Sequence, residues 1–156
     1  MRKRRFSALS TAFLTLAVSD LASSPTAFAQ QTSPNAIVGV WEADDGSVKL
    51  DMFQRSGESQ AHLLYGDQLV ESDNVTFKKD EKNPDPTLRW RSMKNVTFIT
   101  GLHWNDGEWA GGSLHDGSSG HTYRCDVKIR DGKMLLRGYL GISLLGQTRE
   151  FHRAKS

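Results

Sequence analysis

From Ile37 onward the chain alternates apolar and polar residues with a period of two, and a turn signal interrupts the alternation about every eight to twelve residues. The clearest stretch sets Tyr123, Cys125, Val127 and Ile129 on one face and Arg124, Asp126, Lys128 and Arg130 on the other, the signature of a half-buried strand. Asp-Gly pairs at Asp45-Gly46, Asp106-Gly107 and Asp131-Gly132 are the residues that tight hairpins require. Strands are expected over 37–42, 48–53, 61–65, 69–77, 96–102, 109–114, 123–130, 133–142 and 146–153. No window of ten residues after position 30 carries a helical stripe. About eight or nine short antiparallel strands in one meander fit a sandwich or an up-and-down barrel, and the barrel is preferred because closure removes the edge strands.

Length and charge narrow this further. A chain of 156 residues has room for one domain. With 37% hydrophobic and 24% charged residues, it is neither fibrous nor wholly disordered. The formal charge is +2, but Arg2, Lys3, Arg4 and Arg5 against Asp20 put +3 on residues 1–29 and leave −1 on the rest. The basic character therefore belongs to the leader, and no nucleic-acid footprint is expected.

That leader reads as an export signal. A basic start precedes an apolar run over 6–18, and Ala27-Phe28-Ala29 supplies the small-x-small pattern of a cleavage site before Gln30. The run is too short to span a bilayer. Residues 1–29 are expected to be removed, 30–35 to form a flexible lead and 36–156 to form the domain, outside the cytoplasm in a periplasm. Cys125 is the one cysteine, so this fold stands without an internal disulfide.

Residues 78–93 interrupt the strand pattern. Pro84 and Pro86 deny backbone donors, which excludes a central strand and places the segment at the surface near one barrel mouth. Its motif, Asp80-x-x-Asn83-Pro84-Asp85-Pro86-x-Leu88-Arg89-x-Arg91, is followed by Trp109-x-Gly111-Gly112 and by a glycine- and leucine-rich run over 138–146. With Gly39-x-Trp41 before them, these motifs resemble the bacterial exported family called domain of unknown function 2147. The likeness extends over nearly all of the chain after the leader. It implies a lipocalin-like barrel in an exported compartment, and implies no reaction.

Gly39-x-Trp41 also resembles the lipocalin signature, in which a tryptophan closes one barrel end under an arginine of the last strand. Arg153 is the expected partner, with Arg149 second because it shares the same strand face; guanidinium stacking on indole is the physical basis. Asp80, Asn83 and Asp85 are expected to cap turns of the proline loop rather than to bind calcium. Arg89 and Arg91 alternate, so both can face one way, toward the loop's own Asp residues or toward an anion at the mouth. His115, His121 and Cys125 lack a fourth ligand, so no metal is expected. No serine sits in a nucleophile-elbow context, and no catalytic constellation is evident.

The inward set of Leu50, Met52, Leu63, Tyr65, Phe98, Trp109, Tyr123, Val127 and Tyr139 is first of all core. An eight-stranded barrel either fills with such side chains or holds one small ligand. The expected function is non-catalytic binding of a small apolar or amphipathic ligand, without a cofactor. Tyr123, Val127 and Tyr139 would form the wall, and Arg89 and Arg91 would lie at the mouth. The alternative is a structural or protein-interaction module of the cell envelope with a filled barrel.

Overall fold

The computed structural model describes residues 33–155, except for the side chain of Ser143. Residues 1–29, read as the export signal, and 30–32 of the lead lie outside the described residues. Among the described residues eight strands follow one another: β1 (Gly39–Ala43), β2 (Val48–Arg55), β3 (Glu58–Gly66), β4 (Thr97–Asn105), β5 (Glu108–His115), β6 (Thr122–Arg130), β7 (Lys133–Tyr139) and β8 (Gln147–Arg153). Each pairs antiparallel with the next, and β8 returns to β1 with Arg153 opposite Trp41 and Phe151 opposite Ala43. The sheet is a closed, all-antiparallel barrel with no free edge.

The two ends of the barrel differ because their connections differ. At one end β2–β3, β4–β5 and β6–β7 turn over Ser56-Gly57, Asp106-Gly107 and Asp131-Gly132, both residues of each pair at positive φ. Such turns match the twist of the flanking strands and bring them tightly together. The other end carries the longer connections, including the whole of 67–96 between β3 and β4. One end is therefore drawn shut and the other stays open.

Three expectations need correction. The chain entering β1 is not strand from Ile37: Pro34–Ile37 forms a 3-10 turn, so the lead ends in ordered structure. The strand expected over 69–77 is reduced to one bridge between Val70 and Phe77. There Asp73 accepts from the backbone N–H of Val75 (2.9 Å) and Thr76 (2.8 Å), and this local turn outcompetes a ladder. Tyr65 does not join the inward set, because Leu64 bulges where Lys49 pairs with Tyr65 but Leu50 with Leu63. The bulge reverses the alternation, so buried Gly66 takes the inward position that Tyr65 would have held.

The closed half of the barrel is filled. Ile37, Trp41, Met52, Trp109, Val127 and Met134 are buried in one continuous cluster. Trp109 packs edge-on against Trp104 at 4.6 Å, and its Nε1 donates to the Pro34 carbonyl at 3.2 Å. The 3-10 turn is thus pinned across the closed end as a plug.

Candidate functional site

The seal at the closed end is built from three residues. Trp41 Nε1 donates to the Ile37 carbonyl at 2.7 Å, which satisfies its polar atom inside the core. The Arg153 guanidinium lies 3.9 Å from the Trp41 ring centroid and donates to the carbonyls of Val38 (2.6 Å) and Ala36 (2.5 Å). Burial pulls its pKa below the ordinary arginine value. Gly39 has φ +118° and would place a Cβ 2.7 Å from Arg153 Nη1, so the spacing Gly39-x-Trp41 leaves room for the stacked arginine. The expected pairing of Trp41 with Arg153 is present.

Above this plug the open half holds a cavity of about 880 Å³. Leu50, Leu63, Phe98, Leu136 and Phe151 form its apolar wall, one from each of β2, β3, β4, β7 and β8. Gly138 adds to the volume: a Cβ there would meet only Tyr123 Cβ, at 4.0 Å. The rim is polar, with Asp45, Ser47, Asp67, Gln68, Asp116 and Arg149. Arg149 Nη1 donates to Ser47 Oγ at 2.8 Å, and Ser47 in turn donates from its N–H and its hydroxyl to Asp45 Oδ1. The Ser47 bonds, with a smaller contribution from Arg149, hold the Asp45 carboxyl below the usual carboxylate range.

The residues singled out in the sequence fall into two groups. Tyr123 and Tyr139 line the cavity, but only Tyr123 does so from the inward face: Tyr139 stands opposite outward-facing Arg124 at the mouth end of β7, and Gly138 takes the inward position expected for it. Val127 is fully buried between Trp109 and Leu136, in the filled half, and does not line it. Arg89 and Arg91 are turned into their own loop rather than toward the cavity. Arg89 Nε donates to the Asn83 carbonyl at 2.8 Å, while Arg91 donates twice to Asp80 Oδ2, at 3.0 and 2.7 Å.

Asp80 is the hub of that loop. It is fully buried and also accepts from Asn83 Nδ2 at 2.7 Å, and its Oδ1 lies 2.8 Å from His115 Nε2. Burial works to raise its pKa, but the bonds from His115, Asn83 and Arg91 prevail and hold it below 3.8. Asn83 Oδ1 accepts from the Asp85 N–H at 2.9 Å, and Asp85 caps the Pro86–Leu88 turn through the Thr87 N–H at 2.9 Å. The three residues form the loop's internal frame, and through His115 the frame is fastened to the end of β5 beside the cavity.

Arg149 and His115 are among the residues of the site that were not assigned to it in the sequence. The signal for Arg149 is the alternation Arg149, Phe151, Arg153, which puts all three on the inward face. Nothing local marks His115, whose partner Asp80 lies 35 residues earlier.

Burial, aided by the Asp126 charge, pushes the Cys125 thiol up to about 12, so at neutral pH it is not a thiolate. The rim hydroxyls of Ser47 and Ser118 donate to Asp45 and Asp116, not to a histidine. Among the described residues, no group of three or more His, Cys, Asp or Glu side chains is placed to hold a metal.

The family described as "Uncharacterized protein conserved in bacteria (DUF2147)" matches residues 39–153. No curated protein matches the chain. Among solved structures, protein HP1028 from the human pathogen Helicobacter pylori, described as belonging to the lipocalin family, is 25% identical with a TM-score of 0.64. That likeness covers 76% of this chain and 83% of the other. A mutant of the fluorescent protein UnaG is 13% identical with a TM-score of 0.44, over 78% of this chain and 99% of the other.

Proposed function

The chain belongs to the bacterial DUF2147 family, and for this member we propose non-catalytic capture of a small amphipathic ligand in the open half of a lipocalin-like barrel. The observation that carries this reading is the cavity of about 880 Å³, with an apolar wall, a polar rim and a plugged far end. Its volume falls within the range of small-molecule sites, roughly 300–1,000 Å³. A filled barrel, as a purely structural module would have, is disfavoured by the same cavity. Burial of an alkyl chain against Leu50, Leu63, Phe98 and Phe151 supplies the affinity at about 0.8 kcal/mol per buried methylene.

Native mass spectrometry of the purified protein tests this reading. The expected spectrum shows one small molecule bound per chain, lost after organic extraction. A bare mass, together with no saturable binding of dansyl-labelled undecanoic acid, overturns it.

The site of action we propose is the periplasm, after cleavage before Gln30. The support is the basic start, the short apolar run and Ala27-Phe28-Ala29. N-terminal sequencing of the exported protein should begin at Gln30; retention of Met1 contradicts it.

A further inference from the structure

We propose that the ligand carries a single carboxylate, held at the mouth by Arg149. This deepens the ligand-binding reading above and rests on it. On β8 the residues Arg149, Phe151 and Arg153 share the inward face, but they meet three different environments. Arg153 is spent on the plug. Phe151 is buried in the cavity wall. Arg149, opposite Leu136 in the β7–β8 register, stands where that apolar wall ends at the rim.

Its bonding leaves it open to an anion. Among the described residues no carboxylate lies within ion-pair distance of Arg149, in contrast to Arg91 with Asp80 at 2.7 Å. One Nη donates to Ser47 Oγ, and the remaining donors of the guanidinium fork match the two oxygens of a carboxylate. The neighbouring Asp45 carboxylate is engaged by Ser47, whose bridging hydroxyl keeps acid and guanidinium joined indirectly.

The surroundings set the charge and shape of the partner. Asp45, Asp67 and Asp116 share the rim, so a second negative charge on the ligand would be repelled. Leu140 and Leu145 also line the cavity while 60% and 79% exposed, so apolar contact continues up to the mouth. The partner that fits is a carboxylate joined directly to an alkyl or flat apolar body, the chemistry of a fatty acid.

Titration with dansyl-labelled undecanoic acid and with its methyl ester tests this, on wild type, Arg149→Gln and Arg149→Lys. Wild type should bind the acid at least about tenfold more tightly than the ester, as one charge-assisted pair predicts. Arg149→Gln should lose that preference by weakening the acid alone, and its undiminished ester binding reports an intact cavity. Arg149→Lys should recover part of the preference, having the charge without the fork. Equal wild-type binding of acid and ester, or unchanged acid binding by Arg149→Gln, overturns the anchor and leaves the cavity reading standing. Binding of neither probe by wild type overturns both.

Discussion

Trp41 carries its weight through three contacts that belong together: its indole fills the closed end, its Nε1 holds the 3-10 turn at Ile37, and its face receives Arg153. Trp41→Ala should therefore cost about 3–5 kcal/mol, the range for a buried aromatic. Arg153→Ala should cost less and be non-additive with it by about 1 kcal/mol, since each change removes the same stacking contact. Urea unfolding of both single variants and the double variant measures this, and strict additivity would contradict the stacked seal. This pair was legible because Gly39-x-Trp41 resembles the lipocalin signature, which implies an arginine partner on the last strand, where Arg153 stands. The part not legible was Arg149, judged as a second partner for Trp41 because it shares the face of Arg153. Four residues along a strand is roughly 13 Å, enough to move a side chain from the plug to the mouth. Alternation gives the face, and only the closed register gives the height.

At the scale of single elements, the β3–β4 connection shows how a long loop is kept ordered. Its frame centres on a buried carboxylate that faces Arg91, Asn83 and His115, and Lys82 Nζ ties it to the Ser118 carbonyl at 2.6 Å. Because the folded Asp80 carboxyl is held below 3.8, its stabilising contribution is complete above about pH 4 and is lost as the pH falls through the lowered value. Asp80→Asn should lower stability at pH 7 by about 3 kcal/mol, the low end for breaking a buried pair, since Arg91 keeps partial access to water. The same variant should lose less stability than wild type between pH 7 and pH 3, as followed by urea midpoints. Parallel losses would show that Asp80 is not the acid-sensitive group of the loop. The sequence suggested the inward folding of this loop, because Arg91 bonding the loop's own Asp was one of two open readings. The third partner, His115, was invisible, since it arrives from another strand.

For the whole molecule, the hairpin barrel was readable because Asp-Gly turns and period-two alternation are local properties of the chain. The cavity was not, because empty space depends on side-chain volumes summed around all eight strands and on their register. The Leu64 bulge exchanges Tyr65 for Gly66 at the inner wall, which does not follow from alternation alone; Gly138 is visible in the sequence as missing side-chain volume, but a glycine there serves barrel curvature equally well. The expectation that Val127 would be part of the wall has the same origin, since the face was right but the residue lies in the filled half.

Gly138 offers the most direct measurement of whether this space is the binding site. Its backbone is ordinary strand and the nearest contact of an added Cβ is 4.0 Å, so a side chain has room to start there, and Gly138→Leu should take up part of the cavity. Removing a glycine from a strand interior also favours folding. Titrated with dansyl-labelled undecanoic acid beside wild type, Gly138→Leu should keep or raise Tm while binding falls at least about tenfold, the loss expected when roughly two methylenes are excluded. Saturable binding of equal strength in both proteins, or none in wild type, would contradict the account.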